Sequence, residues 1–132
     1  PPKVNDWFVN YVAKKTPLAE EMRLRWFDDA DPTVAAAAWS LTSVRVVKDP
    51  DGLDLDRLLD LIEAQMKDAP ARPQWSMNET LAQIGIHHPD LRERALAIGD
   101  RLQVLADYPT APGCTSPFAP IWIGEMVRRA EG

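Results

Sequence analysis

The sequence is poor in the residues from which most recognisable catalytic centres are built. It holds one cysteine, Cys114, and two histidines, His87 and His88, among 132 residues. A lone thiol forms no internal disulfide, which fits a reducing compartment. Adjacent histidines on a helix end point about 100° apart. With a single cysteine they complete no four-ligand zinc set, so they read as a surface pair. The six glycines make neither a phosphate-cradling loop nor a Gly-x-Ser-x-Gly elbow. Cys114 sits between Gly113 and Thr115, a turn context that suits a structural thiol. No pattern for a cofactor is present. Apolar stretches such as Val34–Leu41 are far too short to span a bilayer, and no targeting segment is visible. These readings give a cytoplasmic protein without a membrane partner. Positive charge is also scarce: 15 Lys and Arg stand against 20 Asp and Glu, a net charge of −5. Phosphate contacts need cations, so the overall balance does not favour nucleic acid.

What the sequence does have is helix. Its 45% hydrophobic and 27% charged residues are ordinary for a globular protein. A chain of this length buries about two thirds of its surface, enough for one domain, residues 1–132, with a real core. The chain opens on Pro1 rather than Met, which suggests sequence upstream.

Proline marks the joints. Asp6 caps a first helix carrying Trp7, Phe8, Tyr11 and Val12. Thr16-Pro17 starts a second, about 17–28, with Leu18, Met22 and Trp26 on one face. Asp31-Pro32 repeats the signal of an N-cap followed by proline and opens a helix to about residue 48. Its stripe runs through Val34, Ala38 and Leu41 to either Val44 or Arg45. Asp49-Pro50-Asp51-Gly52 is a turn by composition. Leu55, Leu58, Leu59, Ile62 and Met66 then fall on one helical face, leaving Asp54, Asp56 and Asp60 as a solvated one. Pro70 and Pro73 bracket the next joint. A helix from Gln74 carries Met77, Leu81 and Ile84, with Gly85 as its C-cap. His88-Pro89 opens another with Leu91, Ala95, Ile98 and Leu102. A proline-rich loop over 108–117 precedes a last helix carrying Ile121, Trp122, Met126 and Val127.

No segment combines strand periodicity with turn chemistry, so the fold is all-α. The starts at Pro32 and Gln74 lie 42 residues apart. A spacing of about 40 with two helices per unit is the HEAT or armadillo pattern. The expectation is a HEAT-like α-solenoid of about three antiparallel helix pairs plus a terminal helix.

Several residues stand out. Lys14, Lys15, Arg23 and Arg25 cluster, and with Arg45 and Lys48 they are the candidate DNA contacts, each with the alternative of a solvated helix face. Glu79 faces either solvent or a concave groove. The five tryptophans, Trp7, Trp26, Trp39, Trp75 and Trp122, fit core packing for the most part. An exposed one on a concave face would suit stacking on bases or gripping a peptide.

Three stretches carry a resemblance. Met77-Asn78-x-x-Leu81-x-x-Ile84-Gly85, Arg94-Ala95-Leu96-Ala97-Ile98, and Tyr108-Pro109 followed by Gly113-Cys114-Thr115-Ser116-Pro117-Phe118-Ala119-Pro120-Ile121-Trp122-Ile123 resemble the DNA alkylation repair family of HEAT-like DNA glycosylases. The likeness is strongest over about residues 74–127. It implies the C-terminal part of a longer arc whose concave face holds duplex DNA. It also implies excision of cationic alkylated purines, with a carboxylate stabilising the charge that develops on the sugar and tryptophans contacting the lesion. Carried onto this sequence, the family's Trp and Asp positions fall at Asp6 and Asn10. Its phosphate-holding Arg falls in Thr33–Ala37, which has none, and its second lesion-facing Trp falls near Glu79. The resemblance therefore implies a divergent member that has lost or relocated its glycosylase chemistry. Two functions follow as expectations: a DNA-repair-like protein on double-stranded DNA, or a helical scaffold for another protein or a second copy of the chain.

Overall fold

A computed structural model describes residues 24–27 and 29–131. The expected first helix, most of the second, and the calls at Asp6, Asn10, Lys14, Lys15 and Arg23 lie outside these residues. The described part is helical, with no strand. A helical turn at 24–26 precedes α1 (Pro32–Lys48), α2 (Leu55–Gln65), a 3-10 turn (Met66–Asp68), α3 (Ala71–His87), α4 (Pro89–Leu102) and α5 (Ala119–Glu131).

Local chemistry sets most boundaries as expected. The Asp31 carboxylate accepts from Thr33 N at 2.9 Å, and Pro32 occupies the first helical position of α1. Asp54 caps α2 by accepting from Arg57 N at 3.0 Å. His88 precedes Pro89 at the start of α4. Two boundaries differ. Helix α3 begins at Ala71, so Pro73 lies in its first turn, where a proline's missing N–H is not needed. The Gln74 side chain bridges back, donating to the carbonyls of Met66 at 3.1 Å and Lys67 at 3.2 Å. The helix also runs past Gly85 to His87, capped at His88. Gly85 is thus no terminator. A Cβ there would lie 2.4 Å from Ile123 Cδ1, so the residue is small because α5 approaches it.

The helices form two layers. Contacts between α1 and α3 rise together along both helices. Arg72 meets Thr33, Thr80 bonds Trp39 O and His88 bonds Val46 O, at separations of 39, 41 and 42 residues. The two helices therefore run parallel. Helix α5 continues the row on the far side of α3, where Asn78 bonds Pro117 O across 39 residues and Ile123 reaches Gly85. Behind the row, α2 and α4 are also parallel: Arg94 pairs with Asp56 and Arg101 with Glu63, each across 38 residues. Asp56 and Asp60 are therefore ion-paired rather than merely solvated.

The core lies between the layers. Trp39, Leu59, Ile62, Met66, Leu81, Ile84 and Ile123 are fully enclosed. On α1 the ambiguous stripe position resolves to Arg45, which is buried while Val44 is exposed. On α5 the enclosed residues are Ala119 and Ile123, and Ile121 is turned outward. A Cβ on Gly99 would meet Pro120 Cδ at 2.8 Å, so α5 beds against two glycines, one on α3 and one on α4. Among the described residues no helix is long and apolar enough to cross a membrane.

Candidate functional site

The outward side of the α1–α3–α5 row carries the unusual surface of the molecule. On α3, Trp75 is 42% exposed, although tryptophan is usually well buried. It lies one turn before Glu79, which is half-buried on the same helix. Tyr108, 48% exposed, meets Trp75 edge-on, with ring centroids 5.3 Å apart and planes at 60°. Such tilted geometry is the favoured arrangement of two π-quadrupoles. Trp122 on α5 and the prolines Pro109 and Pro117 complete an open cleft of about 360 Å³. None of the residues lining it is charged.

The segment between α4 and α5 places Tyr108 by unusual backbone. Gln103 and Leu105 both adopt the left-handed conformation, φ 57° and 63°. A branched apolar side chain rarely sits there, and such strain clusters at functional positions. Tyr108 N then donates to Leu105 O at 3.1 Å. At the other end of the segment the Asn78 amide, buried on α3, donates to Pro117 O at 2.8 Å. Ser116 Oγ accepts from Phe118 N at 3.2 Å just ahead of α5.

Two charged grooves adjoin this cleft. Trp75 also lines a shallow groove with Ala36, Ala71, Arg72 and Ser76, and Arg72 Nη1 donates to Thr33 Oγ1 at 3.1 Å. Across the cleft, Cys114, Thr115 and Ser116 also border a second hollow, of about 380 Å³, that includes Glu125 and Arg129. The Glu125 carboxylate is held below its ordinary value, chiefly by the hydrogen bond from Arg128 and further by Arg129. Cys114 lies in the turn its neighbours suggested, its N–H donating to Ala111 O at 3.0 Å, with the thiol exposed.

A family model described as DNA alkylation repair enzyme matches residues 3–123. The chain belongs to this family. The match takes in α1 to α4, the connecting segment and the first turn of α5, so the aromatic cleft lies within it. No curated protein and no solved structure matches the chain.

The residues singled out in the sequence are scattered. Arg25 is exposed before α1 and Lys48 is exposed at its far end, with the whole of that helix, about 25 Å at 1.5 Å per residue, between Pro32 and Lys48. Arg45 corrects the expectation of a DNA contact. It is buried, and its Nη2 donates to Asp51 O at 2.8 Å, tying α1 to the turn that follows it. His88 is half-buried rather than a surface histidine: its Nε2 donates to Val46 O at 3.0 Å. Among the described residues no three His, Cys, Asp or Glu side chains gather as a metal site would require.

No arginine lies in Thr33–Ala37 on α1, but Arg72 of α3 lies against that stretch, its Nη1 donating to Thr33 Oγ1. Near Glu79 the exposed tryptophan is Trp75, one turn earlier. The sequence reading named Trp75 only among five tryptophans assigned mostly to core packing, and gave neither Arg72 nor Tyr108 a place in a site. The signal for Trp75 was available: it flanks the inward positions Ser76 and Met77, so it points away from the core. Nothing local marked Tyr108, whose place depends on the turn at Leu105.

Proposed function

We propose that this member of the DNA alkylation repair family binds duplex DNA along the outward face of α1, α3 and α5. In this reading the described helices are part of a single HEAT-like arc, and the face is its concave side. The family match over residues 3–123 carries the proposal. The parallel row of helices about 39 residues apart supports the arc, because solenoids repeat one contact geometry from unit to unit. Arg72 lines the groove beside Trp75 and Arg129 the hollow across the cleft, so this face carries cations near the exposed Trp75.

Base excision by the family's usual route is not part of the proposal. Excision needs a carboxylate against the positive charge that grows on the sugar. Asn10 stands at that position, and a neutral amide supplies no such charge. The protein then acts as a damage-binding relative rather than a glycosylase.

A fluorescence-anisotropy titration with plain and abasic duplexes at roughly 20 and 150 mM salt tests this reading. Each phosphate contact contributes about 0.9 to the log–log salt slope, so three contacts lower affinity by roughly two orders of magnitude across that range. Binding that is tight at low salt, falls steeply with salt and favours the abasic duplex is the expected result. No binding at low salt overturns it.

A second reading, a scaffold for another protein or a second copy of the chain, draws on one observation. Val44, Val47 and Ile121 are large apolar side chains left exposed on α1 and α5. Concentration-dependent self-association by light scattering, in a chain that ignores DNA, favours it over the first.

A further inference from the structure

We infer that the segment joining α4 and α5 pairs two copies of this chain, the turn tip at Pro112 of each copy seated in the aromatic cleft of the other. The partner is a second copy, met about a twofold axis. The inference does not depend on DNA, although a second copy over Trp75 excludes a duplex from that part of the face.

Charge singles the region out. From Tyr108 to Gly124 the sequence carries no Asp, Glu, Lys or Arg, the longest such run in the chain. Charged residues make up 27% of the whole, and the net charge is −5. Two chains of one net sign repel each other, and like charges set face to face across a contact are costly. Along this run a copy meets its own image without them. The run is also on the surface, since residues 108–114 are all exposed.

Shape supplies the other half. Cys114 N donates to Ala111 O at 3.0 Å. With Pro112 second and Gly113 third at φ 86°, residues 111–114 have the composition of a type II turn. Pro112 is exposed, and a Cβ placed on Gly113 would meet nothing within 4 Å. The tip therefore stands clear of its own helices. Beside it lies the hollow of about 360 Å³ that Trp75, Tyr108 and Trp122 wall without a charged group. Aromatic-lined grooves receive proline segments well, because the pre-set backbone loses little freedom on docking. The receiving side is also built in advance. Tyr108 is set by the left-handed Leu105, and the segment's end is fastened to α3 by Asn78, which avoids part of the ordering cost of binding. Tip and cleft share one rim, for Ala111 and Cys114, the two ends of the turn, line the cleft. A tip closed by its own turn does not fold back into that cleft. A twofold axis at the rim instead carries each tip into the other copy's cleft. The same patch then serves both copies, as an isologous contact requires. The patch is small, so the pair belongs to the weak, transient class.

Sedimentation velocity over about 5 to 500 µM protein, the range that brackets a weak contact, tests the pairing. The average mass is expected to rise with concentration from monomer toward dimer and to stop there, since a closed twofold contact leaves no free end. Pro112→Asp puts a charge on the tip, and Trp75→Ala removes one wall of the cleft. Both residues are exposed, so the fold does not depend on them. Each change should weaken association about tenfold or more, as loss of a central anchor does. Mixing the two variants should restore part of it. A mixed pair keeps one intact tip facing one intact cleft, whereas either variant alone keeps no such pairing. Val44→Ser, which alters the exposed apolar end of α1, should associate like wild type. A monomer throughout the range overturns the inference. So does association that grows past the dimer, survives Pro112→Asp and Trp75→Ala, is lost in Val44→Ser, or is not recovered on mixing.

Discussion

The two layers of this protein are held by different physics. Between α1 and α3 the seam is enclosed. Trp39 has no solvent exposure and packs on Phe27 with ring centroids 4.4 Å apart. The buried Thr80 hydroxyl lies 3.2 Å from Trp39 O and 2.9 Å from Ser76 O. Between α2 and α4 the polar rungs are ion pairs at the surface. Arg94 spans Asp56 and Asp60, and Arg101 meets Glu63 at 2.6 Å. The Asp60 hydrogen bond holds the Arg94 guanidinium above its already high ordinary value, so it is a permanent cation. Contacts between residues 38 to 42 apart are thus kept by burial on one side and by charge pairing on the other. Burial removes water and fixes geometry, whereas exposed pairs gain little against solvent. The face proposed to hold DNA belongs to the enclosed row.

That contrast can be broken by substitution. Trp39→Ala empties the seam and should cost about 3–5 kcal/mol, read from the urea midpoint at unchanged slope. A loss no larger than that of an outer-layer variant would erase the distinction. Gly85→Ala comes next. Its new Cβ would fall 2.4 Å from Ile123 Cδ1 and 2.9 Å from Cγ1, an overpacking expected to cost about 1–3 kcal/mol. Ile123→Val removes the Cδ1 methyl, so the double variant should recover part of that loss. Strict additivity of the two changes would mean that α5 does not bed on Gly85.

In the outer layer, Arg94→Ala should cost at most about 1 kcal/mol, and most of that should vanish at high salt. Thermal melts at low and high ionic strength check this. The smallest effect concerns Glu125. Its folded-state value is depressed by Arg128 and Arg129, so its stabilisation is present in full above the ordinary carboxylate range. It is lost as the pH falls toward the depressed value. The gap in melting temperature between wild type and Glu125→Gln should be visible at neutral pH and close on acidification. A constant gap would show that the pairs do not form in solution.

Where local chemistry determines the structure, the sequence could be read directly. Asp31-Pro32 announced α1 and the periodic leucines of α2 announced its buried face, because a cap and a 3.6-residue stripe need no knowledge of neighbours. Where the partner lies about 39 residues away, the signal was ambiguous. Gly85 looked like a helix end because the approach of Ile123 is invisible in its own segment. Arg45 and Val44 competed for one stripe position, and the outcome depended on the Asp51 carbonyl. Ile121 is turned outward on a helix that beds against Gly85 and Gly99, which its own segment does not show. Of the site, Trp75 was half-legible from its place beside the inward Ser76 and Met77. Tyr108 was not, because two left-handed residues without glycine turn the chain that carries it.

The central claim is that the inner row, and not the outer layer, faces DNA. Arg72 on α3 and Arg57 on α2 are both exposed arginines, one on each layer. Titrating Arg72→Ala and Arg57→Ala against the same duplex at low salt compares the two faces in one experiment. The account predicts that Arg72→Ala weakens binding several-fold and flattens the salt dependence by about one phosphate contact, while Arg57→Ala binds like wild type. Equal losses from both variants, or a larger loss from Arg57→Ala, would contradict it.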